Sequence, residues 1–170
     1  MDQPFQPDSR LLEALAHLDA QPWSGEVWRH TFGKQPPERT NTRGARWNPP
    51  NVEALYTSLD RSTAVAEADH VLAVQPIKPR TTRTIHRLRL DLEAVIDLRD
   101  PSALASLGLD LGAITGDDYT VCQAIGGAAS FLGIDGLIVA SARAPGANIV
   151  VLFTGSGRIP VIDVISSEAE

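Results

Sequence analysis

The sequence contains one cysteine, Cys122, and lacks any apolar run long enough to cross a bilayer. A single thiol cannot form a disulfide within the chain. The histidines His17, His30, His70 and His86 are scattered singly, so no ligand pair predicts a metal site. The N-terminal stretch MDQPFQPDSR lacks the basic and apolar regions of a signal peptide. We therefore expect a cytoplasmic protein that does not contact a membrane.

The chain also lacks the features of a nucleic-acid-binding or dinucleotide-cofactor protein. Its formal net charge is -6 and its pI is near 5.2, which argues against direct nucleic-acid binding. A local basic run, Arg80, Arg83, Arg87 and Arg89, is predicted to be the solvated face of a strand. No G-x-G-x-x-G motif occurs, and the TGSGR segment near Gly155 is too short and too late to form a Rossmann loop.

The segments that are present predict one α+β domain. With 170 residues, of which 43% are hydrophobic and 21% charged, the chain is long enough to bury one core. Strands outnumber helices and do not alternate with them regularly, which disfavours a doubly wound sheet. Helices are predicted over residues 9–20, ending near Pro22, over 62–74, capped by Asp60 or Ser62 and stopped by Pro76, and over 117–133. Strands are predicted over residues 26–32, 53–59, 84–92, 94–99, 136–142, 148–154 and 159–165.

One loop, residues 44–50 (GARWNPP), has a composition unlike that of a simple connection. It carries a guanidinium, an indole and an amide on a backbone stiffened by two prolines, which is typical of a loop that binds a ligand. Each residue has an ordinary alternative. Arg46 taken alone fits a surface salt bridge, Trp47 with the prolines fits a rigid apolar plug, and Tyr56 in the following strand fits the core.

Glu67 and Ser141 allow two interpretations in the same way. Glu67 shares a helix face with Ala64, Val71 and Val74, so its carboxylate either leans out to water or faces a cavity where an arginine or a ligand hydroxyl satisfies it. Ser141 follows the strand GLIVA and fits an ordinary strand end. The sequence pattern alone leaves both alternatives open.

Taken together, four separated blocks resemble a known family. They are RGARWNPP, ALYTS with Tyr56 ten residues after Arg46, STAVAEADH with Glu67, and GIDGLIVASARAPGANIVVLF with Ser141 and Asn148. This order resembles the RES domain family, named for its arginine, glutamate and serine, over residues 27–153. One departure is Ala45, which stands where a glycine is expected directly before the arginine.

The resemblance implies an ADP-ribosyltransferase-like fold, a split, curved β-sandwich with flanking helices that encloses an NAD pocket. It implies a single RES-like domain over residues 1–170, with an N-terminal helical extension over 1–22. It also implies the toxin of a bacterial RES–Xre type toxin–antitoxin pair, a type II system. The expected partner is a cognate antitoxin with a helix-turn-helix DNA-binding part.

The chemistry of these residue types suits cleavage of the nicotinamide–ribose bond. Glu67 would stabilise the oxocarbenium-like ribose, and Arg46, with Arg29, would hold the pyrophosphate. Tyr56 would stack on nicotinamide, and with Glu67 and Arg46 it completes the expected catalytic set. The other expected substrate-binding residues are Trp47, Asn48, Ser141 and Asn148. NAD would be a substrate, and no cofactor is expected.

The fate of the ADP-ribose stays open at the level of sequence, since water, phosphate or a protein side chain could capture it. We expect hydrolysis or phosphorolysis, because nothing in the chain indicates a dedicated surface loop for a protein target. One alternative is a mono-ADP-ribosyltransferase that modifies a cellular protein. A second is a non-catalytic module that binds a nucleotide or an antitoxin without turnover.

Overall fold

The computed structural model of the chain describes residues 6–76, 82–154 and 160–170. Arg80 of the basic run, residues 155–158 of the TGSGR segment and Ile159 of the last predicted strand lie outside these ranges. The helices in the described residues are α1 (Ser9–Ala16), α2 (Arg61–Ala73), α3 (Pro101–Ser106), α4 (Leu111–Thr115) and α5 (Thr120–Phe131). The strands are β1 (Gln21–Phe32), β2 (Ala54–Ser58), β3 (Arg83–Asp97), β4 (Gly136–Ala140), β5 (Ala147–Leu152) and β6 (Val161–Ala169).

The six strands form one sheet that closes on itself. Their order is β1-β2-β5-β4-β3-β6, and β1 also pairs with β3, so five strands make a barrel-like ring with β6 outside it. The long strand β3 allows this closure. One of its edges pairs with β1, while the other pairs with β6 over residues 84–91 and then with β4 over residues 95–97. The β3–β4 pairing is parallel and the others are antiparallel.

The ring is weakest between β1 and β2. These strands share one paired position, Trp28 with Ser58, and beyond it they are not hydrogen-bonded to each other through their backbones. Arg29 bridges the opening, because its Nη1 donates a 2.8 Å hydrogen bond to the carbonyl of Tyr56. The polar opening between these two strands is where the candidate site begins.

Two apolar clusters hold the sheet in place. One consists of buried strand residues, including Val27, Leu88 and Ile149, and fills the inside of the ring. The other lies between the sheet and the helices and includes Leu15 of α1 and Ile125 of α5. Strand β5 contributes alternate residues to both clusters, because successive side chains of a strand point to opposite faces. It is therefore buried on both sides.

Helix α2, which carries Glu67, begins and ends where its sequence predicts. Asp60 caps it by accepting a hydrogen bond from the backbone N–H of Thr63 at 2.8 Å, and the last helical residue is Ala73. At the turn before β5, Gly146 packs against this cap, where a Cβ would lie 1.9 Å from Thr63 Oγ1. The start of α2 is thereby fixed against β5.

The α+β class is confirmed, and several details differ from the sequence predictions. The strands form one sheet closed into a ring. The split, curved sandwich implied by the family resemblance stays a prediction. The strands predicted over residues 84–92 and 94–99 are one continuous strand, β3. Helices α3 and α4 were missed. Helix α1 ends at Ala16, and residues 21–22 of the expected helical extension already belong to β1.

The basic run is only partly a solvated face. The side chain of Arg83 is 19% exposed and bonds Asp69 and Glu170. Arg87 lies 3.5 Å from a carboxylate oxygen of Glu26, and Arg89 is exposed. Separately, none of the helices in the described ranges has the length and apolar character needed to cross a membrane.

Candidate functional site

The loop that carries Arg46 is fixed from within by hydrogen bonds. Asn41 Oδ1 accepts from the backbone N–H groups of Arg43 and Gly44, each at 3.0 Å. Gly44 has a φ of 100°, a conformation that disfavours any residue with a Cβ. Asn48 Nδ2 donates to the carbonyl of Val52 at 2.7 Å. The loop is therefore a preformed support for its side chains.

Tyr56 connects this loop to the sheet. Its hydroxyl donates to Asn48 Oδ1 at 2.6 Å and accepts from the backbone N–H of Trp47 at 2.9 Å. Burial raises the pKa of the Tyr56 phenol well above its usual value, so the phenol is neutral and keeps its proton for Asn48. Tyr56 also lines the cavities described below.

Trp47 and Asn48 are both held by packing and hydrogen bonds within the protein, and Trp47 also borders the larger cavity. Their contact with the substrate stays a prediction. Trp47 is 2% exposed and packs in the core between the sheet and the helices. Asn48 is fully buried, and its amide nitrogen and oxygen are both bonded to neighbouring protein groups. Gly126 of α5 makes this packing possible, because a Cβ there would lie 1.5 Å from the Trp47 carbonyl oxygen.

Arg46 leaves the loop and lies against the start of α5. Its guanidinium carbon is 4.4 Å from the centre of the Tyr119 ring, a cation–π arrangement. Its Nη1 donates to the carbonyls of Gly116 and Ile114. These contacts hold the guanidinium beside the Tyr119 ring at the wall of the larger cavity.

Glu67 is held by two side chains, one directly after the end of β4 and one from β5. Its Oε1 accepts a 2.7 Å hydrogen bond from Ser141 Oγ and a 3.1 Å hydrogen bond from Asn148 Nδ2. Asn148 is itself oriented by Ser58, whose Oγ donates to Asn148 Oδ1 at 3.1 Å. Within the described residues, Oε2 of Glu67 has no hydrogen-bond partner. One oxygen of the carboxylate is thus anchored and the other is free for a ligand.

Two adjoining cavities meet at Glu67. The larger has a volume of about 400 Å³ and the smaller about 170 Å³, and Tyr56, Glu67 and Asn148 line both. The larger is also lined by Arg46, His70, Val71, Val74, Gln75, Tyr119 and Arg143. The smaller occupies the opening between β1 and β2 and is also lined by Trp28, Arg29, His30, Thr57 and Ser58.

Arg29 lines the smaller cavity, yet its terminal nitrogens are used by the protein. Nη1 donates to the carbonyl of Tyr56, and Nη2 donates to the carbonyl of Arg39 at 2.9 Å. Its Nε is buried without a partner among the described residues. Burial lowers the pKa of Arg29 to about 10, so it stays charged at neutral pH. Arg29 bridges β1 and β2, and its predicted contact with the pyrophosphate stays a prediction.

The structure adds three residues that sequence reasoning missed. Tyr119 lies under Arg46, and Arg143 lines the larger cavity with no side-chain partner among the described residues. His30 lines the smaller cavity, and its pKa falls to about 4 because of burial, with nearby Arg29 lowering it further. Of the three, only Arg143 could have been found from the sequence, because it lies within the family block that contains Ser141. His30 lies in β1 and Tyr119 at the start of α5, and neither segment contains a recognisable motif.

Comparison with a protein-family model shows which family the chain belongs to. The model described as RES domain matches residues 11–166, nearly the whole chain. The chain belongs to the RES domain family. The match extends at both ends beyond the region of 27–153 in which the blocks were recognised.

Named relatives of this RES domain are mycobacterial. The chain is 30% identical over 147 residues to the NAD(+) phosphorylase MbcT of Mycobacterium bovis, which covers 82% of this chain and 79% of the relative. The same values hold for MbcT of Mycobacterium tuberculosis. A solved structure, the M. tuberculosis MbcT-MbcA toxin-antitoxin complex, superposes with a TM-score of 0.84 at 28% identity, covering 96% of this chain and 93% of the other.

Proposed function

We propose that this RES domain is the toxin of a type II toxin–antitoxin pair and consumes NAD by cleaving the bond between nicotinamide and ribose. The observation that carries the proposal is the position of Glu67, a carboxylate anchored through one oxygen at the junction of two cavities. The names of the relatives, an NAD(+) phosphorylase and a toxin-antitoxin complex, support the same assignment. In this proposal the fold is of the ADP-ribosyltransferase type and the enzyme acts in the cytoplasm.

The unequal cavities suit the two halves of NAD. Nicotinamide is one ring with an amide, which suits the cavity of about 170 Å³ between β1 and β2. The ADP-ribose part is larger and anionic, which suits the cavity of about 400 Å³ with Arg46 and Arg143 in its wall. With this arrangement the scissile bond lies beside Glu67.

Glu67 acts by stabilising charge in the transition state. As the C1′–N bond breaks, its electron pair leaves with nicotinamide, which becomes neutral, while positive charge develops on the ribose ring. The free Oε2 of Glu67 faces that charge or accepts a hydrogen bond from a ribose hydroxyl. Ser141 and Asn148 keep the carboxylate in place, so little reorganisation is needed during the reaction.

Phosphate is the acceptor we propose. A phosphate oxygen would form the new bond to C1′, and the products would be nicotinamide and ADP-ribose 1″-phosphate. The support is the name of the relatives, NAD(+) phosphorylase, which are similar over 82% of this chain. With water as the acceptor, the same step would give ADP-ribose.

The partner is an antitoxin with a helix-turn-helix DNA-binding part, which we propose covers the mouth of the larger cavity. An acidic segment would mimic the phosphates of NAD at Arg46 and Arg143. Arg29 is not included in this surface, because its terminal nitrogens bind backbone carbonyls. If the complex degraded NAD as fast as the free protein, occlusion would be wrong.

The deciding experiment incubates the purified protein with NAD, with and without phosphate, and follows nicotinamide and the nucleotide product by chromatography. We expect nicotinamide release that depends on phosphate and a product one phosphate heavier than ADP-ribose. Release without phosphate would indicate hydrolysis, and label from adenine-labelled NAD on a protein would indicate ADP-ribosyl transfer. If the folded protein binds NAD but releases no nicotinamide under any of these conditions, the proposed reaction is wrong and the protein is a non-catalytic binding module.

A further inference from the structure

A third cavity, separate from the two at Glu67, lies on the outer side of Arg29. Its volume is about 260 Å³, and its wall includes Arg29, Arg39 and Arg43 together with Gln35 and Thr42. We call it the arginine cavity. Of these residues, only Arg29 also lines a cavity that touches Glu67. Its lining contains no carboxylate.

We propose that the arginine cavity binds a phosphate-type oxyanion. Within the described residues, none of the three arginines forms an ion pair with a carboxylate. The side chains of Arg39 and Arg43 have no hydrogen-bond partner there, and Nε of Arg29 is buried and unpaired. Three guanidinium groups therefore line one polar cavity without a paired carboxylate, and those of Arg39 and Arg43 are exposed.

The electrostatics of the surroundings strengthen this assignment. The whole chain has a net charge of -6, so three uncompensated arginines in one cavity run against the overall balance. Arg39 and Arg43 also line an adjoining cavity that contains Glu38 and Glu53. Thr40 Oγ1 donates a 2.8 Å hydrogen bond to Glu53. Neither carboxylate forms an ion pair with these arginines within the described residues, so their guanidinium groups remain available to an anion.

A phosphate group matches the donors present. Guanidinium groups bind phosphate oxygens in pairs, and a tetrahedral dianion accepts donors from several directions, as the arginines and the Thr42 hydroxyl supply them. Two sources of such a group are free inorganic phosphate and the phosphates of a nucleotide. The shared chemistry is the phosphate oxyanion, and experiment can separate the sources.

Binding here would also stabilise the neighbouring site. Arg29 holds the carbonyl of Tyr56 with one nitrogen and that of Arg39 with another. An oxyanion in the arginine cavity would neutralise the charge of Arg29 and fix Arg39. It would therefore strengthen the bridge between β1 and β2 without being consumed.

The test measures binding and thermal stability with inorganic phosphate, and separately with ADP, at constant ionic strength set with chloride. The variant is Arg39→Gln with Arg43→Gln, and the matched control is Arg10→Gln with Arg89→Gln, which removes the same charge from exposed positions. Phosphate should raise the melting temperature of the parent and the control. In the variant the rise should be clearly smaller than in the control, with binding to this site weaker by roughly tenfold for each arginine.

The outcomes separate this site from the proposed reaction. ADP can also bind at Arg46 and Arg143, so the variant is compared with the control for each ligand. Loss of the phosphate response alone identifies the free ion as the source, whereas a weaker response to both phosphate and ADP identifies a phosphate group in either form. An unchanged phosphate response in the variant, or an equal loss in the control, would overturn the proposal. Nicotinamide release at saturating phosphate should be unchanged in the variant, since neither arginine lines the cavities at Glu67. A parent protein that never releases nicotinamide would refute the proposed reaction and leave this site standing.

Discussion

Ser141 Oγ lies 2.7 Å from Glu67 Oε1, although the two residues are 74 positions apart in the chain. The serine hydroxyl also accepts from the backbone N–H groups of Arg143 and Ala144, at 3.1 and 3.3 Å. Because two backbone donors occupy its lone pairs, its proton points to the carboxylate. The turn after β4 thus positions the side chain that stabilises charge in the proposed reaction.

Ser141→Ala should therefore lower kcat more than it weakens NAD binding. We expect kcat to fall about tenfold and the free energy of unfolding to drop by about 2 kcal/mol, since one hydrogen bond to a charged group is lost. Steady-state kinetics and a denaturant melt measure the two effects. Ser106→Ala is the matched control, because the Ser106 hydroxyl bonds only the nearby Ala103 carbonyl. Equal kinetics for both variants would show that Ser141 has no positioning role.

Glu67→Gln should abolish most turnover while preserving the fold. The new amide can still accept from Ser141 and Asn148 through its oxygen, but the negative charge is gone. Removing a preorganised electrostatic partner costs on the order of 3 kcal/mol, or about a hundredfold in kcat. NAD affinity should change little, and toxicity on expression should disappear. Glu13→Gln on the exposed side of α1 serves as the control, and nicotinamide release at the parent rate by folded Glu67→Gln would remove Glu67 from the mechanism.

Arg46→Lys should weaken NAD binding although the charge is kept. An ammonium cannot at once lie flat on Tyr119, bond the Gly116 carbonyl and offer further donors to a phosphate. We expect the apparent affinity for NAD to fall roughly tenfold, and Arg46→Ala to lose more. Arg10→Lys controls for the substitution itself. Calorimetry measures the NAD affinity of each variant, with Glu67→Gln added to prevent turnover. An unchanged affinity in Arg46→Lys would contradict this prediction.

Gly126→Ala should destabilise the protein, although alanine favours helices by about 1 kcal/mol over glycine. The added Cβ would lie 1.5 Å from the Trp47 carbonyl oxygen, a backbone atom that cannot rotate away. We expect a loss of about 2 kcal/mol or more in the free energy of unfolding. Activity should fall as well, because a shift of the Trp47 backbone would also displace its neighbours Arg46 and Asn48. Gly112→Ala, whose Cβ would meet no atom closer than 3.4 Å, should leave the melt nearly unchanged.

The stability of the protein should fall as the pH drops below 6.5. The pKa of His30 is lowered to about 4 in the folded chain by burial, with a further contribution from Arg29, while the unfolded chain keeps the usual value of 6.5. The unfolded state therefore binds more protons between these two pH values, and acid favours unfolding. One such group changes the free energy of unfolding by at most about 1.4 kcal/mol per pH unit.

His30→Gln should reduce that slope between pH 4 and 6.5. His86, between Thr31 and Ser167, also has a pKa lowered by burial and contributes in the same direction, so part of the slope will remain. Melts of the variant and of His17→Gln, an exposed position, over this range make the comparison. Identical slopes for His30→Gln and the parent protein would show that His30 does not titrate this way.

Local features that the sequence determined include helix α2 with its Asp60 cap and the strands β2, β4 and β5. Caps, apolar runs and turns act between neighbouring residues, so the chain near each element is enough to predict it. Helices α3 and α4 also had aspartate caps, Asp100 and Asp110, but they are too short to show a periodicity. The four family blocks contained Arg46, Tyr56, Glu67 and Ser141, all of which line or border the cavities.

The tertiary structure alone decided what each polar group binds. Arg29 and Arg46 are both arginines near the site, yet the first holds carbonyls of Tyr56 and Arg39 across the β1–β2 opening. The second holds carbonyls before α5 and packs on Tyr119 at the wall of the larger cavity. Likewise, Asn48 is bonded within its loop, whereas Asn148 reaches Glu67. The physical reason is that these partners meet only after the sheet closes, and closure depends on pairings such as β1 with β3 that join distant parts of the chain.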